Sequence, residues 1–401
     1  MLDTLLTEAV ALQSDAVALR RALHRDPEIG NDVPRTRAKV LAALAGLPLD
    51  ITLHDTTSGI VAVLSGDHPG PAIVLRGDMD ALPLTEDTGL AFASENAGAM
   101  HACGHDLHTA MLVGAAHLLS AKRDLLYGSV IFMFQPGEEG FHGARFMLDE
   151  GLLDAAAGAA TGAYAIHISP LYATGTINHR TGPQMAAQDK LDIVIKGSGG
   201  HASAPYLALD PIPVAAEVVL AIETALTRRL DPFDPAVVTV AHIAAGTTYN
   251  IIPETAAMQG TIRTFSEASR TKVHALLEDV VGGVASAHGA QAEVIIEHGY
   301  PVTINDPTFT DFVTEVTGSV LGAENVAPLP SPIMGAEDWS YVLERVPGTM
   351  SFLGACPPDS EPGTAPGNHS NIVIFDEDAM PTGIAAYTGV ALSHLSADGQ
   401  M

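Results

Sequence analysis

Short apolar segments alternate with helical ones through the first part of the chain, and this alternation constrains the fold more than any other feature. The strand-like segments are Ile60–Leu64, Ile73–Arg76, Ser129–Phe134 and Tyr164–Ile168, and the helix-like ones are 2–23 and 104–122. Strands that are separated by helices pair in parallel through crossover connections. Because a parallel sheet has both faces covered by helices, the sequence predicts an α/β fold with a mainly parallel sheet.

A different pattern begins near residue 187. Alternation of apolar and polar residues at 191–196 indicates a half-exposed strand. The elements predicted after it are a helix at 210–229, strands at 236–243 and 255–264, a helix at 266–288 and a strand at 293–297. This βαββαβ order is that of the ferredoxin-like unit. We therefore predict a small α+β domain, residues 187–299, inserted into an α/β domain made of residues 1–186 and 300–401.

The chain is strongly acidic. It has 47 Asp and Glu residues against 19 Lys and Arg, which gives a formal net charge of −28. Such a charge repels phosphate groups, so neither nucleic acid nor an anionic membrane is expected as a partner. We find no segment apolar enough to span a membrane, and two cysteines cannot form a disulfide framework. A cytoplasmic location is therefore expected.

The densest cluster of reactive side chains is the segment MHACGHDLH at residues 100–108. Cys103 and His105 lie at the start of a predicted helix, on a turn that Gly104 allows. A thiolate and an imidazole suit a transition metal such as zinc. The alternative interpretation is a buried free cysteine beside histidines of the core.

Two consecutive glutamates, Glu138 and Glu139, follow a predicted strand in the segment FQPGEEG. Carboxylates are costly to bury unless a cation neutralises them, and ligands collect at the carboxyl ends of parallel strands. Neighbouring side chains diverge, so one carboxylate can bind a metal while the other faces a water ligand. The alternative is a solvated acidic turn.

Other polar side chains also lie at predicted strand ends. His167 ends one strand, Asp78 and Asp80 follow another, and His369 precedes Ile372–Phe375, which is predicted as a strand. A single histidine in such a place is usually structural, but the whole set offers five potential ligands and one spare carboxylate. That number suits two divalent cations that share a ligand and leave positions for water and substrate. A structural zinc site would instead be closed by four Cys or His ligands.

The chain resembles the dinuclear-metal aminoacylase–carboxypeptidase superfamily. The segments that carry the resemblance, in order and over nearly the full chain, are RGDMDALP, MHACGHDLHTA, FQPGEEG, AIHISP, GSGGHASAP and GNHSN. Within the superfamily they are similar to the amidohydrolase branch, which contains hippurate hydrolase and indole-acetyl-amino-acid hydrolases. The resemblance implies that the α/β domain is catalytic. It also implies that the inserted domain is a lid through which the chain forms a homodimer or higher homo-oligomer.

The resemblance further implies two divalent metal ions per chain, zinc or manganese, with cobalt as an alternative. The implied metal ligands are Cys103, His105, Glu139, His167 and His369. Cys103 would bridge the ions, and Glu138 would be the general base. The peptidase branches have a His–x–Asp pair where this chain has Asp78 and Asp80. The resemblance thus implies that His105 would take over as a ligand, and that Asp80 would orient a ligand without binding metal itself.

Three polar residues of the inserted domain match lid positions of the family. His201 would polarise the scissile carbonyl over a neighbouring subunit's metals, and Asn250 and Arg263 would contact the substrate. Arginine binds carboxylates bidentately, so Arg263 suits a substrate carboxylate; a salt bridge on the strand surface is the alternative. Glu337 and Asp338 also match a family segment near the site, without an assigned role.

The expected activity is metal-dependent hydrolysis of an N-acyl amino acid, of the hippurate type, to a carboxylic acid and a free amino acid. A metallo-exopeptidase or dipeptidase using the same machinery is the first alternative. A non-catalytic metal-binding or ligand-binding protein is the second. Cys103 and Asp78 are typical of the amidohydrolase branch, and the presence of Glu138 argues against a protein that only binds.

Overall fold

The computed structural model describes residues 2–397, which divide into two compact units. Of the described residues, the first unit contains those up to Gly182, then Ile304–Ser331 and those from Asp338 onward. The second unit contains Pro183–Thr303 and Pro332–Glu337. The predicted inserted domain, residues 187–299, lies within the second unit.

Helices and strands alternate along most of the chain. The helices are α1 (Leu5–Ala11), α2 (Gln13–Arg25), α3 (Pro34–Leu44), α4 (His105–Ser120), α5 (Gly143–Asp149), α6 (Pro211–Arg229), α7 (Glu267–Ala287), α8 (Pro307–Leu321), α9 (Ser340–Leu343) and α10 (Met380–His394). The strands are β1 (Asp50–Leu53), β2 (Ile60–Ser65), β3 (His68–Asp78), β4 (Tyr127–Gln135), β5 (Ala160–Ser169), β6 (Ile177–His179), β7 (Gly182–Met185), β8 (Ala187–Lys196), β9 (Gly200–His201), β10 (Ala236–Ala245), β11 (Ile251–Ile252), β12 (Thr255–Thr264), β13 (Gln291–His298), β14 (Thr303–Asn305), β15 (Val326–Pro328) and β16 (Gly348–Gly354). Within residues 2–397, every helix is too short or too polar to cross a bilayer.

An eight-stranded sheet organises the first unit, with strand order β1-β2-β4-β3-β5-β16-β6-β15. Its central strands β4, β3, β5 and β16 pair in parallel, whereas β1–β2, β2–β4 and β16–β6 pair antiparallel. Consecutive residues of β4 and β16 are buried, and successive side chains point to opposite faces, so both faces of the sheet centre are covered. The predicted α/β fold with a mainly parallel sheet is confirmed.

Two helices that are buried on nearly all sides, α4 and α10, form the centre of the packing. Their close approach depends on small residues: a Cβ added at Gly114 would lie 2.6 Å from Ile384 Cδ1, and one at Gly383 would lie 2.2 Å from Met111 Sδ. A helix that is apolar all round is buried in a core rather than laid on a surface. The tight packing fixes α4, whose first residue is His105.

The predicted strand Ile372–Phe375 is wrong, and the predicted helix 2–23 is divided. Residues 371–372 form a turn and 373–376 have no regular structure. Val373 and Phe375 are buried whereas Ile372 is 45% exposed, so a loop that packs alternate side chains reproduces the pattern of a strand without pairing. The predicted helix 2–23 is interrupted at Leu12, where α1 ends and α2 begins.

In the second unit, four antiparallel strands form a sheet in the order β10-β12-β8-β13. With α6 and α7 the elements follow one another as βαββαβ, the order of a ferredoxin-like unit. Side chains of Asp210 and Ser266 cap α6 and α7 by accepting hydrogen bonds from the Ile212 and Ser269 amides. The unit has its own apolar core, which includes Leu191.

Tyr387→Phe tests a buried link between α10 and the central strands. The Tyr387 hydroxyl donates to the Arg76 carbonyl at 2.6 Å and accepts from the Ile166 amide at 3.0 Å. Phenylalanine leaves both backbone groups without this partner, so we expect a loss of about 2–4 kcal/mol in the free energy of unfolding, measured by urea denaturation. Tyr249→Phe, at a position 96% exposed, is the control. Equal stability of the two variants would contradict the role of this hydroxyl.

Candidate metal centre

The candidate residues of the first unit collect at one edge of its sheet. β3 pairs in parallel with β4 and with β5, and Asp78 at the end of β3 lies opposite Gln135 at the end of β4. Glu138 therefore follows directly after the carboxyl end of β4, and His167 lies near that end of β5. The carboxyl edge of parallel strands is where ligands bind in α/β sheets.

A left-handed glycine joins the two predicted ligands of the MHACGHD segment. Gly104 has φ of 86° and caps α4, so Cys103 lies just before the helix and His105 is its first residue. A Cβ at this glycine would lie 2.3 Å from Ile168 Cγ2, which no L-residue could accommodate without a shift. Cys103 and His105 are both buried.

The loop that carries His369 is attached to this turn and to β5. Asn368 Nδ2 donates to the carbonyls of Cys103, at 3.0 Å, and of Ile168, at 3.1 Å. The His369 amide donates to the Ala102 carbonyl at 2.9 Å, and the histidine itself has φ of 68°. A non-glycine residue in the left-handed region is uncommon and is found where surrounding contacts hold it in place.

The predicted ligands form two groups that share one sulfur. Cys103, His105 and His167 offer ligand atoms within 4.8 Å of one another, and so do Cys103, Glu139 and His369. Cys103 Sγ lies 3.3 Å from His167 Nε2, and His369 Nε2 lies 3.1 Å from Glu139 Oε1. Two triads with a common thiol could hold a pair of cations that share one ligand.

His105 and His167 each form a hydrogen bond at Nδ1, which leaves Nε2 as the nitrogen that could bind a metal. His105 Nδ1 donates to the Asp80 carbonyl and His167 Nδ1 donates to the Ile168 carbonyl, each at 2.8 Å. In the neutral form of each ring, the lone pair is therefore at Nε2. Within residues 2–397, His105 Nε2 is buried without a hydrogen bond and lies 3.2 Å from Asp78 Oδ2 and 4.0 Å from Glu139 Oε1, a place that a coordinated cation could fill. The donor set fits two divalent cations.

Asp80 supports the ligands without offering an oxygen to a metal. Its Oδ1 accepts from the Glu138 amide at 2.9 Å and its Oδ2 accepts from the Glu139 amide at 3.0 Å. Through its own carbonyl it also accepts the Nδ1 proton of His105. One residue thus orients the turn with both glutamates and the first histidine of α4.

The electrostatics favour positive charge at this site. Burial alone would lower the pKa of His105, but the carboxylates of Asp78 and Asp80 outweigh it and raise the pKa to about 10. Burial would raise the pKa of Glu139, yet His369 and His105 lower it below its ordinary value. The proton that His105 holds among these carboxylates is one that a divalent cation replaces on binding.

Sequence reasoning missed the polar residues behind the ligands. Asp78, His105 and His108 lie close enough to hold a cation, but both ring nitrogens of His108 are occupied: Nδ1 donates to Asp78 Oδ1 at 2.6 Å, and Nε2 accepts from the Ile168 amide at 2.8 Å. His108 is therefore not a ligand. The signal that could have indicated it is its spacing, one helical turn after His105 on α4.

Arg76 and Asp338 are two more of the buried polar residues behind the predicted ligands. Burial alone would raise the pKa of Asp78, but Arg76, with Nη1 2.8 Å from Asp78 Oδ2, holds it well below its usual range. Asp338 lies 3.4 Å from Arg76 Nη2 and is fully buried in the first unit. Its neighbour Glu337, also buried, belongs to the second unit. A basic residue two positions before Asp78 is the sequence signal that could have been used.

His201 and Asn250 lie together in the second unit. Both line an open cavity of about 570 Å³ whose walls come from residues 199–201 and 250–254. The Ser203 amide donates to His201 Nδ1 at 3.1 Å. Because that nitrogen accepts, a neutral His201 carries its proton at Nε2, where it is a hydrogen-bond donor.

Arg263, on β12, is half-buried and has no ion pair among residues 2–397. Burial lowers its pKa, an effect that Asp189 opposes. The carboxylate of Asp189 is already bound by Arg270 and by His274 Nε2, the latter at 2.7 Å. The salt bridge considered as an alternative role for Arg263 is therefore not formed within the described chain.

Residues 74–393 match the peptidase family M20/M25/M40. The chain is 35% identical to thermostable carboxypeptidase 1 of Saccharolobus solfataricus, over 98% of both chains. It is 37% identical to the N-acetyl-L-cysteine deacetylase of Bacillus subtilis, over 86% of this chain and 81% of that one. It is 34% identical to the IAA-amino acid hydrolase ILR1-like 4 of Arabidopsis thaliana, over 94% of this chain and 85% of that one.

The fold is also similar to solved structures. A Bacillus subtilis protein described as a dinuclear metal binding peptidase of the M20 family matches with a TM-score of 0.82 and 32% sequence identity, over 96% of this chain and 99% of that one. The resemblance predicted from the motifs is thereby confirmed at the level of the family and its amidohydrolase branch.

Asp80→Asn tests how the site is held together. Asparagine keeps the shape but offers one acceptor oxygen where two amides donate, so one of the Glu138 and Glu139 amides loses its partner. We expect metal affinity to fall about 10–100-fold, as is typical when a residue that orients ligands is lost. Metal dissociation constants measured by competition with a chelator check this. Asp124→Asn, at an exposed position, is the control, and unchanged affinity in Asp80→Asn would contradict the assignment.

Proposed function

Since the chain belongs to peptidase family M20/M25/M40, we propose that it is a metal-dependent amidohydrolase that cleaves N-acyl amino acids of the hippurate type. The products are a carboxylic acid and a free amino acid. The observation that carries the proposal is the pair of ligand triads sharing Cys103, with the buried carboxyl of Glu138 beside His105 and Glu139.

The proposed ligands for two divalent ions are Cys103, His105, Glu139, His167 and His369. The chemistry that the ions supply when bound is Lewis acidity toward a water and toward the amide carbonyl. Thiolate and imidazole favour zinc, and carboxylate also suits manganese or cobalt, so all three belong in a reconstitution.

Glu138 is the proposed general base. Its carboxyl is buried, and Asp80 fixes its backbone amide and that of the adjacent Glu139. Neighbouring side chains diverge, so Glu139 can bind metal while Glu138 receives a proton from the attacking water. The same carboxyl then passes the proton to the departing amine, which would otherwise be a poor leaving group.

The second unit is the proposed lid and dimerisation domain, in a homodimer or higher homo-oligomer. We propose that His201 acts over the metals of a neighbouring subunit, where its Nε2 proton polarises the scissile carbonyl, and that Asn250 contacts the substrate. The tautomer set by Ser203 supports this donor role. Exposed apolar side chains, including Tyr206 at 83% and Leu207 at 75%, suit a surface that another chain covers.

An N-acyl amino acid presents a carboxylate and an acyl group. Arg263 is proposed to bind the carboxylate, because its guanidinium is half-buried and forms no ion pair within residues 2–397. Exposed apolar side chains that follow the proposed ligands within four residues of sequence, Phe141 at 44%, Leu171 at 38% and Ile372 at 45%, suit an apolar acyl group. The deacetylase and the IAA-amino acid hydrolase among the relatives are both named for such substrates.

A metallo-exopeptidase is the second candidate, because one relative with 98% coverage is named a carboxypeptidase. Hippurate-type amides compared with dipeptides, under identical metal loading, distinguish the two. Among residues 2–397 the two buried cysteines form no disulfide, which supports the proposed cytoplasmic location.

Glu138→Gln tests the proposed base. Metal-stripped protein is reloaded with zinc, manganese or cobalt and assayed on a panel of N-acyl amino acids. We expect about two metals per chain to be retained by the variant, while kcat falls about 10²–10⁴-fold because no carboxylate accepts the proton. Glu315→Gln, at an exposed position on α8, is the control. Full activity of the variant would overturn the role of Glu138, and failure of the fully loaded parent on every amide would overturn the substrate class.

Arg263→Ala tests the carboxylate contact. We expect KM for an N-acyl amino acid to rise about 10–100-fold, the effect of losing a charge-assisted hydrogen bond, with little change for the same substrate as its carboxamide. Arg228→Ala, at an exposed position on α6, is the matched control. Equal loss on acid and carboxamide would mean that the guanidinium does not bind the carboxylate.

A further inference from the structure

We propose that His108 and Asp338 are positioning residues of the metal centre, which act from opposite ends of one buried polar chain that runs through Asp78. The inference rests on the proposed metal-dependent function. It gives a role to Asp338, which the sequence left without one, and to a histidine that binds no metal itself.

The first end of the chain is His108. It is fully buried on α4, and each ring nitrogen has one partner: Nδ1 donates to Asp78 Oδ1 at 2.6 Å, and Nε2 accepts from the Ile168 amide at 2.8 Å. A backbone amide can only donate, so this ring is neutral with its proton at Nδ1. His108 therefore links the end of β3 to the end of β5 in one fixed orientation.

The Ile168 peptide group passes this orientation to a ligand. Its carbonyl accepts from His167 Nδ1 at 2.8 Å and from Asn368 Nδ2 at 3.1 Å. The first contact directs His167 Nε2 toward Cys103, and the second holds the loop that carries His369. The rings of His108 and His167 also pack edge to face, with centroids 4.8 Å apart. Moving His108 would thus disturb ligands of both triads.

The other end of the chain is a buried ionic cluster formed by Arg76, Gln135 and Asp338. Arg76 donates from Nε to Gln135 Oε1 at 3.0 Å, and its Nη2 lies 3.4 Å from Asp338 Oδ1. Asp338 also accepts from Gln135 Nε2 at 2.7 Å and from the Ala144 amide at 2.9 Å. Asp338 thereby fixes the guanidinium whose Nη1 lies 2.8 Å from Asp78 Oδ2.

The cluster faces the metal centre through Asp78. Asp78 Oδ2 is buried in its ion pair with Arg76 Nη1 and also lies 3.2 Å from His105 Nε2, the atom proposed to bind metal. A fully buried ion pair is costly and rarely increases stability over an apolar core. Its position beside a ligand atom indicates that the cluster holds a negative charge in place next to the cations.

Four variants test the proposal on the full-length protein. Asn at position 108 keeps a donor for Asp78 but removes the acceptor for Ile168, whereas Gln keeps an acceptor and removes the donor. We therefore compare His108→Asn, His108→Gln and Asp338→Asn with His117→Asn, a control on the same helix whose Nε2 bonds the Ala43 carbonyl. The readouts are the zinc dissociation constant, by chelator competition, and the visible spectrum of the cobalt-loaded protein.

We expect both position-108 variants and Asp338→Asn to bind zinc about 10–100-fold more weakly and to alter the cobalt spectrum, while His117→Asn matches the parent. Wild-type zinc affinity and cobalt spectrum in the three test variants would overturn the proposal, even if the metal-free proteins are less stable. If one variant fails to fold, the others decide. A parent that binds no zinc would overturn this proposal together with the proposed function, whereas a parent that binds zinc but cleaves no amide overturns only the function.

Discussion

The parallel pairing of β3 with β4 and β5 is the constraint on which the rest of the first unit depends. It brings Asp78, the glutamate turn and His167 to one edge, and the glycine at the start of α4 adds Cys103 and His105 there. No single contact could do this, because the ligands come from segments far apart in sequence. The order of strands therefore determines the chemistry that the edge can support.

Much of this could be predicted from the sequence, because apolar runs and strand-end polar residues both leave local patterns. The bounds of β12, Thr255–Thr264, and of α6 follow from such patterns and from turn residues. Ile372–Phe375 shows the limit: alternate burial looks the same in a loop as in a strand when the pairing partner cannot be seen. His108 shows another, since its role depends on two partners, 30 and 60 residues away in the chain.

Acidic side chains are in large excess over the whole chain, whereas at the candidate site individual acids have nearby polar or charged partners. The chain as a whole carries −28, yet two buried acids of the first unit have local counterparts: Arg76 for Asp78 and two backbone amides for Asp80. Water screens the surface carboxylates, but at the site nothing except the protein and a cation can do so. His105 Nε2, which makes no hydrogen bond among residues 2–397, therefore marks a point where the described chain alone does not complete the balance.

The sulfur of Cys103 belongs to both triads, so a chemical change at this atom would affect both. If Cys103 binds both cations, the two positions would not be filled independently, because both would use the same thiolate. Oxidation of the Cys103 sulfur would remove a candidate ligand atom from both triads at once. Cys103 is only 6% exposed, and this burial limits the access of oxidants such as peroxide to its sulfur.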